Sequence, residues 1–172
     1  MQKVILVGYM GSGKSIISKL LASKINYLCY ELDDLIEKKA NLSIESIFSQ
    51  KGELYFRKLE HEIFVEKMNS KESFVLSTGG GTPCYFGNHE WLKRDGSVSI
   101  YLSASIETLF DRLENAKSKR PLLSQLNQTQ MKEFIAKHLF ERSYFYHQAS
   151  YTINVNGKTP VELVIELQKL LF

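Results

Sequence analysis

Two cysteines in 172 residues, Cys29 and Cys84, are too few for a disulfide framework or a zinc quartet. Cys29, in the apolar run Tyr27-Leu28-Cys29-Tyr30, reads as a small buried hydrophobe. Cys84 follows a glycine-rich stretch and has no companion base that would make it a nucleophile. The four histidines, His61, His89, His138 and His147, share no metal-ligand spacing, so all four read as surface or structural. Long apolar runs are missing as well; none approaches membrane-spanning length, so no membrane partner is expected. Met1 leads directly into a strand-like stretch, which leaves no room for a signal peptide, and the expected location is the cytoplasm, where thiols stay reduced. Charge of one sign barely accumulates: 22 Lys and Arg against 19 Asp and Glu leave a net +3. That excess is too small to argue for nucleic acid, and no basic run alternates with aromatics. The remaining balance, 44% apolar and 24% charged, is ordinary for one soluble domain with a proper core.

Periodicity alternates between strand and helix along the chain. Val4-Ile5-Leu6-Val7 is a short β-branched apolar run, as a buried parallel strand should be. Apolar residues then recur at Ile16, Ile17, Leu20, Leu21 and Ile25, which is helical spacing. Leu28–Glu31 reads as a second strand, followed by a short helix to about Ala40. Ser43 can cap a further helix with Ile44, Ile47 and Phe48 on its inner face, and Gly52 ends it. Glu53–Met68 reads as a longer helix with Phe56, Leu59, Ile63 and Phe64 inward, and Phe74–Ser77 as a third strand. A helix near Asn88–Lys93, a strand over Val98–Leu102 and a helix over Ser105–Leu113 follow. Residues of about 115–128 lose the apolar period and hold Lys117-Ser118-Lys119-Arg120-Pro121, which suggests a mobile flap. Phe134–Phe145 is helical, Thr152–Val155 is the last strand, and Pro160 opens a final helix at a favourable first position. Repeated β–α units imply α/β architecture, a parallel sheet with helices on both faces, and ligands beyond the carboxyl ends of the strands.

Between the first strand and helix stands Gly8-Tyr9-Met10-Gly11-Ser12-Gly13-Lys14-Ser15, which fits the P-loop pattern G-x-x-x-x-G-K-[ST]. Strand, glycine loop and helix together point free N–H groups and a helix N-terminus at one spot, where a phosphate binds. Lys14 adds a mobile charge for the β- and γ-phosphates, and Ser15 offers a hydroxyl to Mg²⁺. The acidic cluster Glu31-Leu32-Asp33-Asp34 ends the second strand; a carboxylate there can hold Mg²⁺ or take a proton from an attacking hydroxyl. Asp33 is assigned to that chemistry, and Asp34 to a helix N-cap. Arg57 with Glu60 one turn on is either a carboxylate clamp held in place or a plain surface ion pair, and spacing alone favours the surface pair. Gly79-Gly80-Gly81 directly follows a strand, which argues for close backbone approach. Arg120 stands in the flap, and Arg142 near the end of a helix.

Taken together these segments resemble the shikimate kinase family over nearly the whole chain. The resemblance rests on Gly8–Ser15, Glu31 and Asp33, Gly52–Arg57, Ser77–Gly81, Arg120-Pro121-Leu122-Leu123 and Glu141-Arg142-Ser143-Tyr144, in this order and spacing. It implies a nucleoside-monophosphate-kinase-like fold with five parallel strands ordered 2-3-1-4-5, in a single kinase domain over 1–172. A substrate-binding helical region would span about 33–60. It implies transfer of the ATP γ-phosphate to the 3-hydroxyl of shikimate, with Mg²⁺, in aromatic amino-acid biosynthesis, by a monomer. In the family's terms Lys14, Asp33 and Arg120 are catalytic, and Ser15 and Glu31 serve the metal. Gly11, Ser12, Gly13, Lys14, Ser15, Ile16, Arg112, Arg120 and Asn156 bind the nucleotide, with Arg112 packing on adenine. Asp33, Arg57, Gly79, Gly80, Gly81 and Arg142 bind shikimate, the two arginines gripping its carboxylate. Three positions depart from the family pattern: Glu31 stands where Asp is usual, Ile16 where Thr or Ser is usual, and Lys58 where a second Arg is common. Another small-metabolite P-loop kinase, such as one for gluconate, is the nearest rival. A nucleotide switch is disfavoured by the lack of an Asn-Lys-x-Asp segment.

Overall fold

The computed structural model describes residues 2–116, 123 and 125–172. Its sheet has five parallel strands: β1 (Lys3–Val7), β2 (Leu28–Glu31), β3 (Phe74–Ser77), β4 (Ser97–Ser103) and β5 (Tyr151–Asn154). They lie in the order β2-β3-β1-β4-β5, as expected. The central strand shows why a continuous apolar run was needed. Ile5 and Val7 enter one core layer, Val4 and Leu6 the other, and all four are fully buried. Helices α1 (Lys14–Ile25), α2 (Leu32–Ala40), α3 (Ile44–Lys51), α4 (Glu53–Met68), α5 (Ile106–Glu114), α6 (Gln128–Tyr146) and α7 (Pro160–Leu171) cover the two faces. One layer packs Ile36, Ile63, Phe64 and Leu109 on the sheet; the other packs Ile17, Leu21, Leu163 and Leu167.

Local chemistry explains most boundaries, including those that differ from expectation. Glu31, not Asp34, is the last extended residue before α2, so both Asp33 and Asp34 fall in its first turn, where the helix dipole favours carboxylates. Glu31 makes no cap bond because its carboxylate turns to Ser15. Ser43 does cap α3, accepting from Ser46 N at 3.1 Å. Phe48 does not turn inward: it is 38% exposed and packs at a tilt, 4.6 Å between ring centres, on buried Phe56. The segment Asn88–Lys93 is a 3₁₀ helix entered through Gly87 at φ 71°. Helix α6 starts six residues before the expected Phe134, because Asn127 and Gln130 form a reciprocal capping box. Half of the expected flap over about 115–128 lies outside the described residues, Arg120 included; of its described members, Leu123 is buried in the core and Gln128 opens α6.

Candidate active site

At the carboxyl ends of the strands a cavity of about 590 Å³ is lined by the P-loop, Ile16, Glu31, Asp33, Thr78, Gly79, Gly80 and Arg112. Four segments far apart in sequence thus meet where the sheet's topology reverses. The loop's shape depends on its glycines: Gly8, Gly11 and Gly13 have φ of 149°, 83° and 100°. A side chain at Gly8 would also strike the carbonyl of Leu102, 2.8 Å from where its Cβ would stand. Lys14 lies folded over its own loop, donating to the carbonyls of Gly8 at 2.8 Å and Tyr9 at 3.0 Å. Ser15 Oγ donates to Glu31 Oε2 at 3.0 Å, while Glu31 Oε1 and Ser12 Oγ are buried without a hydrogen-bond partner. Arg112 Nη1 donates to the carbonyls of Gly11 and Ser12 at 3.1 and 3.2 Å, which ties α5 to the phosphate loop. Ile16 is exposed at the cavity mouth. Asn156 is not part of the lining; its Oδ1 accepts from Ser105 N at 2.9 Å, and Lys158 and Pro160 line the cavity beside it instead.

The triple glycine organises the other half of the site, and it does so by space. Thr78 anchors the run to β1 through two bonds to the Leu6 carbonyl, from Oγ1 at 3.0 Å and from its backbone N at 3.2 Å. Each glycine then backs onto a different functional group. A Cβ at Gly79 would stand 3.1 Å from Glu60 Oε1 and 3.4 Å from Asp33 Oδ1. At Gly80 it would stand 3.4 Å from Arg142 Nη1 and 3.6 Å from the Gly8 carbonyl of the P-loop. At Gly81 it would stand 2.7 Å from Arg57 Nη2. Acid, phosphate loop and both arginines are therefore packed against three consecutive backbone positions.

Arg57 is not the surface pair that spacing favours. Its side chain is 12% exposed, and its partner Glu60 is fully buried. Arg57 Nη1 donates to Glu60 Oε2 at 2.8 Å, and Thr82 Oγ1 donates to Glu60 Oε1 at 2.6 Å. The guanidinium also lies over the rings of Tyr85 and Phe56, at 4.3 and 5.0 Å. Burial pulls its pKa down, but the Glu60 carboxylate outweighs that and the net shift is upward. The charge of Arg57 is thus fixed and its fork oriented. Asp33 lines the cavity and is exposed by surface area, though its carboxyl stands amid enough protein to lose part of its water. Loss of water raises its pKa to about 6, helped by the negative charges of Glu60, Glu31 and Glu37 and opposed by Lys14. Burial pushes the Cys84 thiol up to about 11 against the pull of Arg142 and Arg57, so it is a neutral wall beside both arginines.

Sequence reasoning missed several members of this constellation. Thr82, Asn88 and His61 extend the Glu60 network outward: Asn88 Nδ2 donates to the Thr82 carbonyl at 2.9 Å, and Asn88 Oδ1 pairs with His61 Nδ1 at 2.7 Å. Tyr9 is buried, hydrogen-bonds His138 Nδ1 at 3.0 Å, and presents its ring to Arg142 at 5.5 Å. Tyr146 is buried and donates to the Gly80 carbonyl at 2.6 Å. Only Tyr146 carried a readable signal, its place four residues after Arg142 on one helix face.

The family model described as "SKI: Shikimate kinase" matches residues 10–171. The chain is 51% identical over 172 residues to the shikimate kinase of Flavobacterium psychrophilum, covering 100% of both chains. It is 52% identical to that of Flavobacterium johnsoniae, covering 99% of each. In three dimensions it is similar to the crystal structure of shikimate kinase from Bacteroides thetaiotaomicron, with a TM-score of 0.91 at 34% identity, covering 99% of this chain and 98% of that one. It is also similar to shikimate kinase from Acinetobacter baumannii in complex with shikimate, with a TM-score of 0.87 at 30% identity, covering 99% of this chain and 93% of that one. P-loop, buried Arg57–Glu60 pair, glycine run and full-length likeness agree: this chain belongs to the shikimate kinase family.

Proposed function

We propose that this chain transfers the γ-phosphoryl group of ATP to the 3-hydroxyl of shikimate, giving shikimate 3-phosphate and ADP, as a cytoplasmic monomer. One observation supports this most: the run Gly79–Gly81 seats an acid, two arginines and the P-loop against one another. A small hydroxylated carboxylate held by the arginines would present a hydroxyl to Asp33 and to a phosphate on the loop.

The nucleotide phosphates take the N–H groups from Gly11 to Ser15, and Lys14 exchanges the Gly8 and Tyr9 carbonyls for phosphate oxygens. The donor set fits Mg²⁺: Ser15 and Glu31 would hold it, since Glu31 Oε1 is buried and unpartnered beside an oriented hydroxyl. When bound, the ion neutralises charge on the β- and γ-oxygens. Ile16 offers no hydrogen bond at the cavity mouth, so nucleotide affinity rests on the loop backbone, Lys14 and Arg112. Arg112 is assigned to the adenine side and Arg120, outside the described residues, to the transferring phosphate. Arg57 and Arg142 grip the carboxylate from α4 and α6. Asp33 orients the attacking hydroxyl and takes its proton; a carboxylate raised toward neutrality is a better base than an ordinary one. Little covalent chemistry is asked of the protein, and charge placement carries the step.

A coupled assay of ADP release tests the reading. Turnover should require shikimate and be negligible with gluconate or AMP; turnover with gluconate in its place would overturn it. Arg57→Lys keeps a cation beside buried Glu60 but loses the fork, so shikimate KM should rise about tenfold, roughly 1.4 kcal/mol, with ATP KM within about twofold. Equal losses for both substrates would remove Arg57 from the carboxylate site.

A further inference from the structure

We propose that Tyr146 is a positioning residue for the carboxylate grip, its hydroxyl fixing the Gly80 carbonyl and with it the seat of Arg142. The inference rests on the reading of Arg142 given above. A fully buried phenol must place its hydroxyl on an acceptor, but packing alone does not dictate which one. Tyr146 chooses the middle glycine of the run, at 2.6 Å. Of the three glycines in the run, Gly80 is the one that stands against both Arg142 and the phosphate loop. Its absent Cβ would lie 3.4 Å from Arg142 Nη1, 3.5 Å from the Met10 N and 3.6 Å from the Gly8 carbonyl. Shifting Gly80 therefore shifts the acid grip relative to the phosphate loop.

Arg142 and Tyr146 are one helical turn apart on α6. Burial raises the phenol's pKa, and the Arg142 guanidinium, as charge and as hydrogen-bond donor, works against that rise, so the two groups face each other. With its proton on Gly80, the phenol turns its lone pairs toward the guanidinium. The ring is held from behind by Tyr101, stacked at 5.0 Å and 28°. Tyr144, two residues earlier, is 65% exposed and makes no such strut. A phenylalanine at 146 would keep the volume and the stack and lose only the hydroxyl, which makes Tyr146→Phe a clean test.

Shikimate affinity is measured by calorimetry, together with both KM values, for Tyr146→Phe, Arg142→Ala and the double variant. Tyr146→Phe should weaken shikimate binding about fivefold and leave ATP KM within about twofold. In the Arg142→Ala background the same change should cost less than about twofold, because the group it positions is gone. Unchanged shikimate affinity in Tyr146→Phe, equal loss for both substrates, or full multiplication of the two effects would each overturn the proposal. Unchanged affinity in Arg142→Ala would instead overturn the assignment of Arg142. On the parent protein, the ¹³Cζ resonance of labelled Tyr146 should move on titration with shikimate. A resonance fixed at saturation overturns the proposal even where the variant does not fold.

Discussion

Asp33 shows how one residue gains a property its type lacks. Its carboxyl pKa of about 6, against an ordinary 3.8, comes first from lost water and then from Glu60, with Lys14 opposing. Between those two values the folded chain holds a proton that the unfolded chain has released. This group's contribution to stability is therefore full below pH 3.8 and lost as pH rises through about 6. In the proposed reaction catalysis would run the other way, since only the ionised form accepts a proton. The profile of kcat/KM for shikimate should show an acid limb with a midpoint near 6. Asp33→Asn should lower turnover by about 10²-fold or more and remove that limb; a limb kept at the same pH in the variant would assign it to another group. The place of Asp33 in the cavity was readable because a carboxylate just past a strand's carboxyl end beside a P-loop falls where ligands of such sheets sit. Arg57 was not: a one-turn Arg–Glu spacing is common on surfaces, and only the tertiary packing of Glu60 under Thr82 and Gly79 shows the pair to be buried.

At the scale of the element, strands and helices were legible where pattern and punctuation agreed. Strands β1 and β3 carried unbroken apolar runs because both their faces are covered. Helix α6 was read short because its first turn is polar and borders the basic, proline-broken segment. Its start is set by hydrogen bonds, with Asn127 Oδ1 accepting from Gln130 N at 2.9 Å and Gln130 Oε1 from Asn127 N at 3.0 Å. Asn127→Ala should cost about 1 kcal/mol of unfolding free energy in urea. Shikimate affinity should not change, because Arg142 sits roughly four turns further along the same helix. A loss of shikimate affinity would mean that the far end of α6 moves with its cap. The triple glycine is expected to let a ligand come close, and Gly79 and Gly80 do line the cavity; the protein's own side chains also crowd the run, which no single element could reveal.

The whole molecule joins the two halves of the cavity through the sheet. Strand β1 delivers the phosphate loop, β2 delivers Glu31, and β3, between them, delivers the glycine seat. This convergence was legible, since strand–helix alternation forces a parallel sheet whose loops gather at one end. The depth of the cleft and the partners of Tyr9 and Tyr146 were not, because they depend on where α6 crosses the sheet's end. A ligand bound only by the folded form raises its melting temperature, by about 2.7 kcal/mol of stability at a hundred times Kd. Lys14→Ala should melt near the parent without ligand, because the loop keeps its own backbone bond from Ser12 N to the Tyr9 carbonyl at 3.1 Å and the Arg112 bonds to the Gly11 and Ser12 carbonyls. It should lose most of the stabilisation by ATP and nearly all turnover. Full thermal protection by ATP in this variant would separate Lys14 from the phosphates.

The lysine folded over its own loop has one more effect. Its ammonium already donates to two peptide carbonyls, so a lone inorganic anion drifting into the cleft would gain little by capturing it. A polyphosphate chain long enough to engage the amides and the ammonium together would gain far more, so the folded lysine would favour cargo of the right length.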